Sequence, residues 1–114
     1  GSEMCIRDSS NSGRDLIYEY INSLPEAEKI DGYTVLQHME KGEFDKILFK
    51  RWEKKVYEVY FQKNNRVFYI TVDKENIYLL HSCRKQKNKT EKKDANIVRK
   101  RAKELGNMLG RKFI

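Results

Sequence analysis

The sequence predicts an α+β domain in which helices from both ends of the chain pack on a small, mainly antiparallel sheet. Apolar residues recur at helical spacing before residue 42 and again after residue 90. Four strand-like segments lie between them, and their short connections permit antiparallel neighbours only. The predicted order is therefore α–α–β–β–β–β–α, with the helices against one face of the sheet.

The N-terminal helices are predicted from apolar spacing and from residues that interrupt helices. The first helix runs up to Pro25, which ends it or begins the next turn. Helix is expected to continue over 26–30, to break at 31–32, and to resume until Gly42 ends it. The apolar residues that define these segments are Leu16, Ile17, Tyr20, Ile21, Leu24, Val35, Leu36 and Met39.

The strands are predicted from alternation and from turn residues. A short strand is expected in 45–50, and "KKVYEVYFQ" at 54–62 alternates as a half-buried strand does. Turn signals at 64–65 and 73–76 separate it from "RVFYITV" at 66–72 and "IYLLHS" at 77–82. The last helix is expected to end at Gly106, and its apolar stripe is Ala95, Val98, Ala102 and Leu105.

Residues 14–114 are expected to form one domain, because the chain is only 114 residues long. Residues 1–13, "GSEMCIRDSSNSG", are interpreted as a disordered or artefactual tail, since they resemble translated sequencing adapter and contain no convincing strand. Two cysteines do not form a disulfide framework, which favours reduced thiols and a cytoplasmic location. No apolar run approaches 18 residues, so neither a membrane span nor a secretory leader is predicted.

Charge is concentrated at the C-terminal end of the chain. Residues 84–114 contain 12 of the 24 Lys and Arg but only three of the 17 Asp and Glu. This balance of +9 exceeds the +7 of the whole chain. Such asymmetry indicates a nucleic acid, an anionic membrane surface or an acidic protein as a partner.

Four segments resemble motifs of one known family in the same order. They are "SGRDLIYEYINSLP" at 12–25, "VYEVY" at 56–60, "NRVFYI" at 65–70 and "LLHSCRKQKNKTE" at 79–91. The corresponding family patterns read S/N-G-x-x-x-V-x-E-F-L-x-x-L-P, L-Y-E-L-R, Y-R-I-F-Y and L-L-H-G-F-x-K-K-T-Q-K-T-P. The chain thus resembles the HigB/RelE-like toxins of bacterial type II toxin–antitoxin systems, specifically the phage-derived HigB-like branch.

This resemblance implies a RelE-like fold and a ribosome-dependent mRNA interferase, an endoribonuclease toxin that needs no metal. It also implies mRNA and the ribosome as targets, and a small helix-turn-helix, HigA-like antitoxin as the neutralising partner. The family arginine of L-Y-E-L-R is Tyr60 here. A non-catalytic RNA- or ribosome-binding protein of the same fold is therefore the alternative, and a toxin acting on DNA gyrase is a weaker third interpretation.

The catalytic candidates are a cation on a strand, a cation in the basic loop, a carboxylate and a histidine. Arg66 matches the family's Y-R arginine and can grip two phosphate oxygens, or it can simply pair with Glu58 across the strands. Lys85 matches the first Lys of K-K, and crowding by other cations would lower its pKa and make it a usable base. Glu58 can orient an arginine or accept a proton, and His81 can act as an acid or base or serve as a hydrogen-bonded core residue.

The RNA-binding candidates are cations and one aromatic residue. Tyr60 is expected to stack on a splayed base, and the cations are expected to contact phosphates. The histidines and cysteines are too dispersed in the sequence to predict a metal site, and no cofactor is expected. The basic candidates are Arg84, Lys87, Lys89, Arg99, Lys100 and Arg101.

Overall fold

The computed structural model describes residues 4–8, 15–85 and 89–114, and it confirms the predicted α+β class. Five strands and three α-helices are present in this part of the chain, with a short 3₁₀ helix at Phe44–Lys46. The elements are β1 Cys5–Asp8, α1 Leu16–Asn22, α2 Glu26–Glu40, β2 Leu48–Glu53, β3 Val56–Phe61, β4 Asn65–Thr71, β5 Asn76–Arg84 and α3 Lys92–Leu109. No helix of the described residues combines the length and apolar character needed to cross a membrane.

The strands form one sheet in the order β1-β5-β4-β3-β2, antiparallel except where β1 pairs with β5. The prediction that all helices lie on one face is wrong. Ile17 and Leu36 of α1 and α2 pack in one core with Val59, whereas Val98 of α3 packs in a second core with Phe68. The reason is that the central strands carry apolar side chains on both faces, so helices must pack on each face to exclude water from them.

Strand β1 lies within the predicted tail, so the prediction that this segment supplies no strand is wrong. Cys5–Asp8 pairs in parallel with the start of β5. The backbone N–H of Met4 donates to Glu40 and that of Cys5 donates to Glu75, both over 2.6 Å. These contacts are made by the backbone, and a four-residue strand is too short to show alternation in sequence. Residues 1–3 and 9–13 of the predicted tail lie outside the described residues.

Helix α2 continues through Gly32, so the predicted break at 31–32 is wrong. A Cβ on Gly32 would lie 3.0 Å from the ring of Phe61 and 3.2 Å from the side chain of Ile21. This glycine therefore permits close packing of α2 on β3 and does not interrupt the helix. The predicted stop at Gly42 is confirmed, since this residue has a φ of 70° and its N–H donates to Met39.

The apolar stripe predicted for α3 is confirmed, but the helix extends past Gly106 to Leu109. Gly110, with a φ of 67°, ends it in the left-handed conformation. Gly106 instead gives the returning chain room, because a Cβ there would lie 2.4 Å from the carbonyl oxygen of Arg111.

A bulge in β5 determines which side chains face α3. Phe68 is opposite His81 and Tyr69 is opposite Leu79, so Leu80 is an extra residue on β5. Such a bulge changes which face later residues occupy. Leu80 packs in the core under α3, and His81 reaches Asp94 of α3. The bulge thus directs both neighbours to the same face.

We expect Gly32→Ala to destabilise the protein. Alanine favours a helix interior by about 1 kcal/mol over glycine. The added methyl would press on the Phe61 ring 3.0 Å away, and overpacking of this kind typically costs about 1–3 kcal/mol. A net loss of about 1 kcal/mol in the free energy of unfolding, measured by urea denaturation, is the expected result.

Adding Phe61→Leu provides the control for this clash, because leucine leaves space beside residue 32. The double variant should lose less stability than the sum of the two single losses. A gain in stability for Gly32→Ala alone would contradict the packing argument.

Candidate active site

A cleft of about 360 Å³ opens where the ends of β2 and β3 face the N-terminus of α3. It lies on the face of the sheet that α3 covers. Five cationic side chains and two carboxylates line it, so an anionic ligand is the one it favours. The lining residues are Lys50, Arg51, Trp52, Glu53, Glu58, Lys85, Lys89, Thr90, Ala95 and Arg99.

Glu58, which lines this cleft, belongs to a buried ion pair between neighbouring strands. Glu58 on β3 is 1% exposed, and its Oε1 accepts a hydrogen bond of 2.5 Å from Nη1 of Arg66 on β4. The residue directly opposite Arg66 is Tyr60, so the ion pair runs diagonally between the strands. The ion pair considered in the sequence analysis is therefore present, although the two residues are not direct cross-strand partners.

Tyr60 holds the other side of the Arg66 guanidinium. The guanidinium carbon lies 4.2 Å from the centre of the Tyr60 ring, a cation–π contact. The Nε of Arg66 is buried and has no hydrogen-bond partner among the described residues. Arg66 is thus fixed by a carboxylate and a ring. Tyr60, which was predicted to stack on an RNA base, thus contacts and orients the Arg66 side chain.

Lys85 lies directly after β5 and is only 7% exposed. Its backbone N–H donates to the carbonyl of Asn64 over 2.8 Å, which anchors the start of the basic loop to the β3–β4 turn. Burial lowers the pKa of its ammonium group, and the positive charges of Arg66 and Lys50 lower it further, while Glu58 opposes the shift. The structure therefore places Arg66 and Glu58 close enough to Lys85 to act on its charge.

Lys50 is a cleft residue that the sequence analysis missed. It is the direct cross-strand partner of Glu58, and its Nζ lies 5.6 Å from the centre of the Tyr60 ring. Lys50 and Arg66 thus share one aromatic side chain and border one carboxylate. The sequence feature that could have indicated Lys50 is its opposite charge to Glu58 on the next strand. Pairing them requires the β2–β3 register, and β2 begins three residues later than predicted.

His81 lies beside the cleft but does not line it. Its Nε2 is 2.8 Å from Oδ1 of Asp94, and its ring stacks on Phe68 with centres 6.4 Å apart. Burial lowers the pKa of His81, and Asp94 opposes this shift. Burial likewise raises the pKa of the nearby Cys83 thiol to about 12. His81 is thus a partly buried, hydrogen-bonded residue.

Arg84 is placed on the opposite face of the sheet from the cleft. Its Nη2 lies 2.7 Å from Oε1 of Glu28 on α2, and its Nη1 donates to the carbonyl of Lys63 over 2.9 Å. Asn65 donates to the same Glu28 oxygen over 2.8 Å and accepts from the Tyr20 hydroxyl. Arg84 therefore joins α2 to the sheet and does not border the cleft of the catalytic candidates.

The remaining basic candidates differ in position. Arg99 lines the cleft, bonds Glu53 through two nitrogens at 3.0 and 2.5 Å, and lies over the Trp52 ring. Arg101 donates to the Leu80 carbonyl over 2.7 Å and so fixes the bulge. Lys100 is exposed on α3, Lys89 lines the cleft, and Lys87 lies outside the described residues.

The fold and the site together define a small basic α+β protein with a cleft lined mainly by cationic side chains. The family model described as "Phage derived protein Gp49-like (DUF891)" matches residues 19–103. The chain therefore belongs to this family, a phage-derived, toxin-like family associated with toxin–antitoxin systems. No curated protein matches the chain in sequence.

We expect Arg66→Met to be strongly destabilising. It removes the charge that compensates the buried Glu58 carboxylate, and breaking a buried pair from one side typically costs about 3–5 kcal/mol. Urea denaturation would measure this loss. Replacing both partners, in Glu58→Leu with Arg66→Met, should cost less because no buried charge remains.

Arg99→Met is a matched control. Arg99 also bonds a glutamate at 2.5 Å, but this pair is exposed, with side chains 48% and 36% accessible. Exposed pairs contribute about 1 kcal/mol or less. Equal losses for the two arginine variants would contradict the view that burial makes the Arg66 pair important.

Proposed function

We propose that this protein is a toxin that inhibits translation by cleaving mRNA held in the ribosome. The observation that carries the proposal is that Glu58 and Lys85 line one cationic cleft while Arg66 pairs with Glu58 beside it, within a chain that belongs to a toxin-like family. The cations can grip a phosphodiester, and the lowered pKa of Lys85 makes its amine available for proton transfer. The target, mRNA, places its action in the cytoplasm.

The proposed reaction uses the ribose hydroxyl as its nucleophile and requires no metal. A base removes the proton of the 2′-OH, and the oxygen attacks the adjacent phosphorus. The bond from phosphorus to the 5′ oxygen then breaks, and this oxygen takes a proton from water or from a charged lysine. The products are a 2′,3′-cyclic phosphate and a 5′-OH.

Each cleft residue has a role in this reaction that follows from its surroundings. Neutral Lys85 accepts the 2′-OH proton, because its lowered pKa increases the neutral fraction. Arg66 and Lys50 stabilise the charge that develops on the phosphate. Glu58 is a positioning residue, because its buried carboxylate holds Arg66 in place and neither oxygen reaches solvent freely.

Binding of the message is proposed to depend on cations around the cleft. Lys89 and Arg99 line it, and Lys100 is exposed on the adjoining helix. Each phosphate contact releases counterions, so the affinity for RNA should fall steeply with added salt. An antitoxin would neutralise the protein by covering this charge. We propose a small helix-turn-helix protein in that role.

A second candidate function is RNA or ribosome binding without cleavage. Tyr60 occupies the position of an arginine in the motif that the chain resembles, and Arg66 is already engaged with Glu58 and Tyr60. A cleft with one arginine fewer can still block a ribosome. Defined 5′-OH ends within a message would support cleavage, whereas stalled ribosomes on intact messages would support this alternative.

We expect Lys85→Met to lower the rate of message cleavage on purified ribosomes by roughly 10²–10⁴-fold, the usual contribution of a positioned base. The change keeps an unbranched apolar chain as far as Cε, with sulfur in place of Cδ, and removes the amine. Cleavage would be followed by mapping 5′-OH ends. Lys74→Met is the control, because Lys74 lies in the turn that precedes β5, at the opposite end of this strand from Lys85.

The pH profile separates proton transfer from simple charge loss. Lys85 acts as a base only when neutral, so the wild-type rate should rise with pH and level off below the ordinary lysine pKa. Lys85→Arg keeps the charge but stays protonated, and its residual rate should not follow this profile. An unchanged profile and rate in Lys85→Arg would remove Lys85 from the proton transfer.

A further inference from the structure

Three side chains with metal-binding atoms come together beside the cleft, although the sequence separates them. They are His81 and Cys83 on β5 and Asp94 on α3. One nitrogen, one sulfur and one carboxylate oxygen from these residues all lie within 4.8 Å of one another. Among the described residues no other such group of three is found.

The fold brings these residues together through the bulge and the position of α3. His81 and Cys83 are two residues apart on β5, so their side chains point to the same face of the sheet. The pairing with β4 is regular here, since His81 is opposite Phe68 and Cys83 is opposite Arg66. Asp94 lies in the first turn of α3 and reaches His81 over 2.8 Å. Elements from two layers of the fold thus supply the group.

The surroundings restrict how these side chains can move. Asp94 is buried, and the His81 ring stacks on Phe68 at an interplanar angle of 20°. The strand just before His81 is fixed by the hydrogen bond from Arg101 to the Leu80 carbonyl. Metal-ligating histidines are oriented by neighbouring groups, and here the Phe68 ring restricts the plane of the His81 ring.

We propose that His81, Cys83 and Asp94 bind a zinc ion. Imidazole and thiolate ligands suit Zn²⁺, whereas Mg²⁺ and Ca²⁺ need several oxygen ligands and would find only one carboxylate here. Zn²⁺ ligands lie about 2.0–2.3 Å from the metal, so a tetrahedral set has its atoms roughly 3.3–3.8 Å apart. Small rotations of the three side chains would bring them to that spacing, and water would fill a fourth position.

Zinc binding at this site is balanced in charge and in protons. The thiol of Cys83 gives up its proton to solvent as its sulfur bonds the metal, and Asp94 is the second anion. The dication with these two anions is neutral, whereas the metal-free group carries the single negative charge of Asp94, so zinc binding raises the local charge by one. Arg66, Lys93 and Arg101 oppose this change, whereas Glu58 and Glu91 favour it. The two anionic ligands keep the change to one unit of charge instead of two.

The test uses the full chain, stripped of metal and kept reduced. Cobalt(II) serves as the spectroscopic probe, and Zn²⁺ is then titrated against it. We expect one Co²⁺ per chain in a tetrahedral site with a thiolate-to-metal charge-transfer band, displacement of Co²⁺ by Zn²⁺, and a higher melting temperature with Zn²⁺ bound. Loss of a supporting partner alone typically weakens metal binding roughly 10–100-fold, so Cys83→Ser and Asp94→Asn should each weaken it by at least about 100-fold.

Cys5→Ser and His38→Gln are the matched controls. Cys5 is the exposed thiol of β1, and His38 pairs with Glu43 on the other layer of the protein. Both variants should keep the Co²⁺ spectrum and the Zn²⁺ stoichiometry. Melting of each variant without metal reports whether its fold is intact, and the two ligand variants provide independent tests if one of them is unstable.

Two results would overturn the zinc site. One is a wild-type chain that forms no one-to-one Co²⁺ complex. The other is a complex that survives with undiminished affinity in Cys83→Ser, whether or not Cys5→Ser also retains it. Neither result depends on RNA cleavage, so the zinc site and the proposed function can fail separately.

Discussion

The ion pair of Glu58 and Arg66 is the constraint on which the cleft depends. A carboxylate that is 1% exposed has lost its hydration, and it is tolerated only with a cation and hydrogen bonds close to it. Arg66 supplies both at 2.5 Å, and Tyr60 holds the guanidinium from its other side. The same carboxylate lies among Lys50, Lys85 and Arg66, where it offsets their mutual repulsion. Removing it would therefore disturb Lys50, Lys85 and Arg66 together.

The two faces of the sheet divide the basic residues between structural and functional positions. Arg66 on β4 and its partner Cys83 on β5 both face α3. Arg84, the next residue on β5, faces α2 and bonds Glu28. One residue along a strand thus separates a cleft cation from a cation that joins the two layers. The bulge at Leu80 shifts this alternation locally and brings His81 to the α3 face.

The sequence was sufficient for the features that depend on local periodicity. The stripe from Ala95 to Leu105 and the hairpins around β4 were predicted because each extends over several turns or alternations. In the folded sheet Arg66 lies near Lys85, since β4 and β5 are adjacent antiparallel strands and Asn65 pairs with Arg84.

Other features depend on contacts between distant segments, which periodicity does not report. Gly32 has the sequence character of a helix breaker, yet the Phe61 ring packed against it explains its presence within α2. Strand β1 forms through backbone bonds to residues about 70 positions away, and Lys50 enters the cleft through a register that only the folded sheet defines. The meeting of His81 with Asp94 requires both the bulge and the docking of α3.

The most direct test of the catalytic account uses two short messages programmed into purified ribosomes. They are identical except that the ribose at the mapped cleavage position carries a 2′-OH in one and a 2′-H in the other. The account predicts that the ribonucleotide message yields a 2′,3′-cyclic phosphate and a 5′-OH, while the deoxy message binds equally well and stays intact at that linkage. Equal cleavage of the two messages would show that the 2′-OH is not the nucleophile, and would contradict the role given to the cations around Glu58.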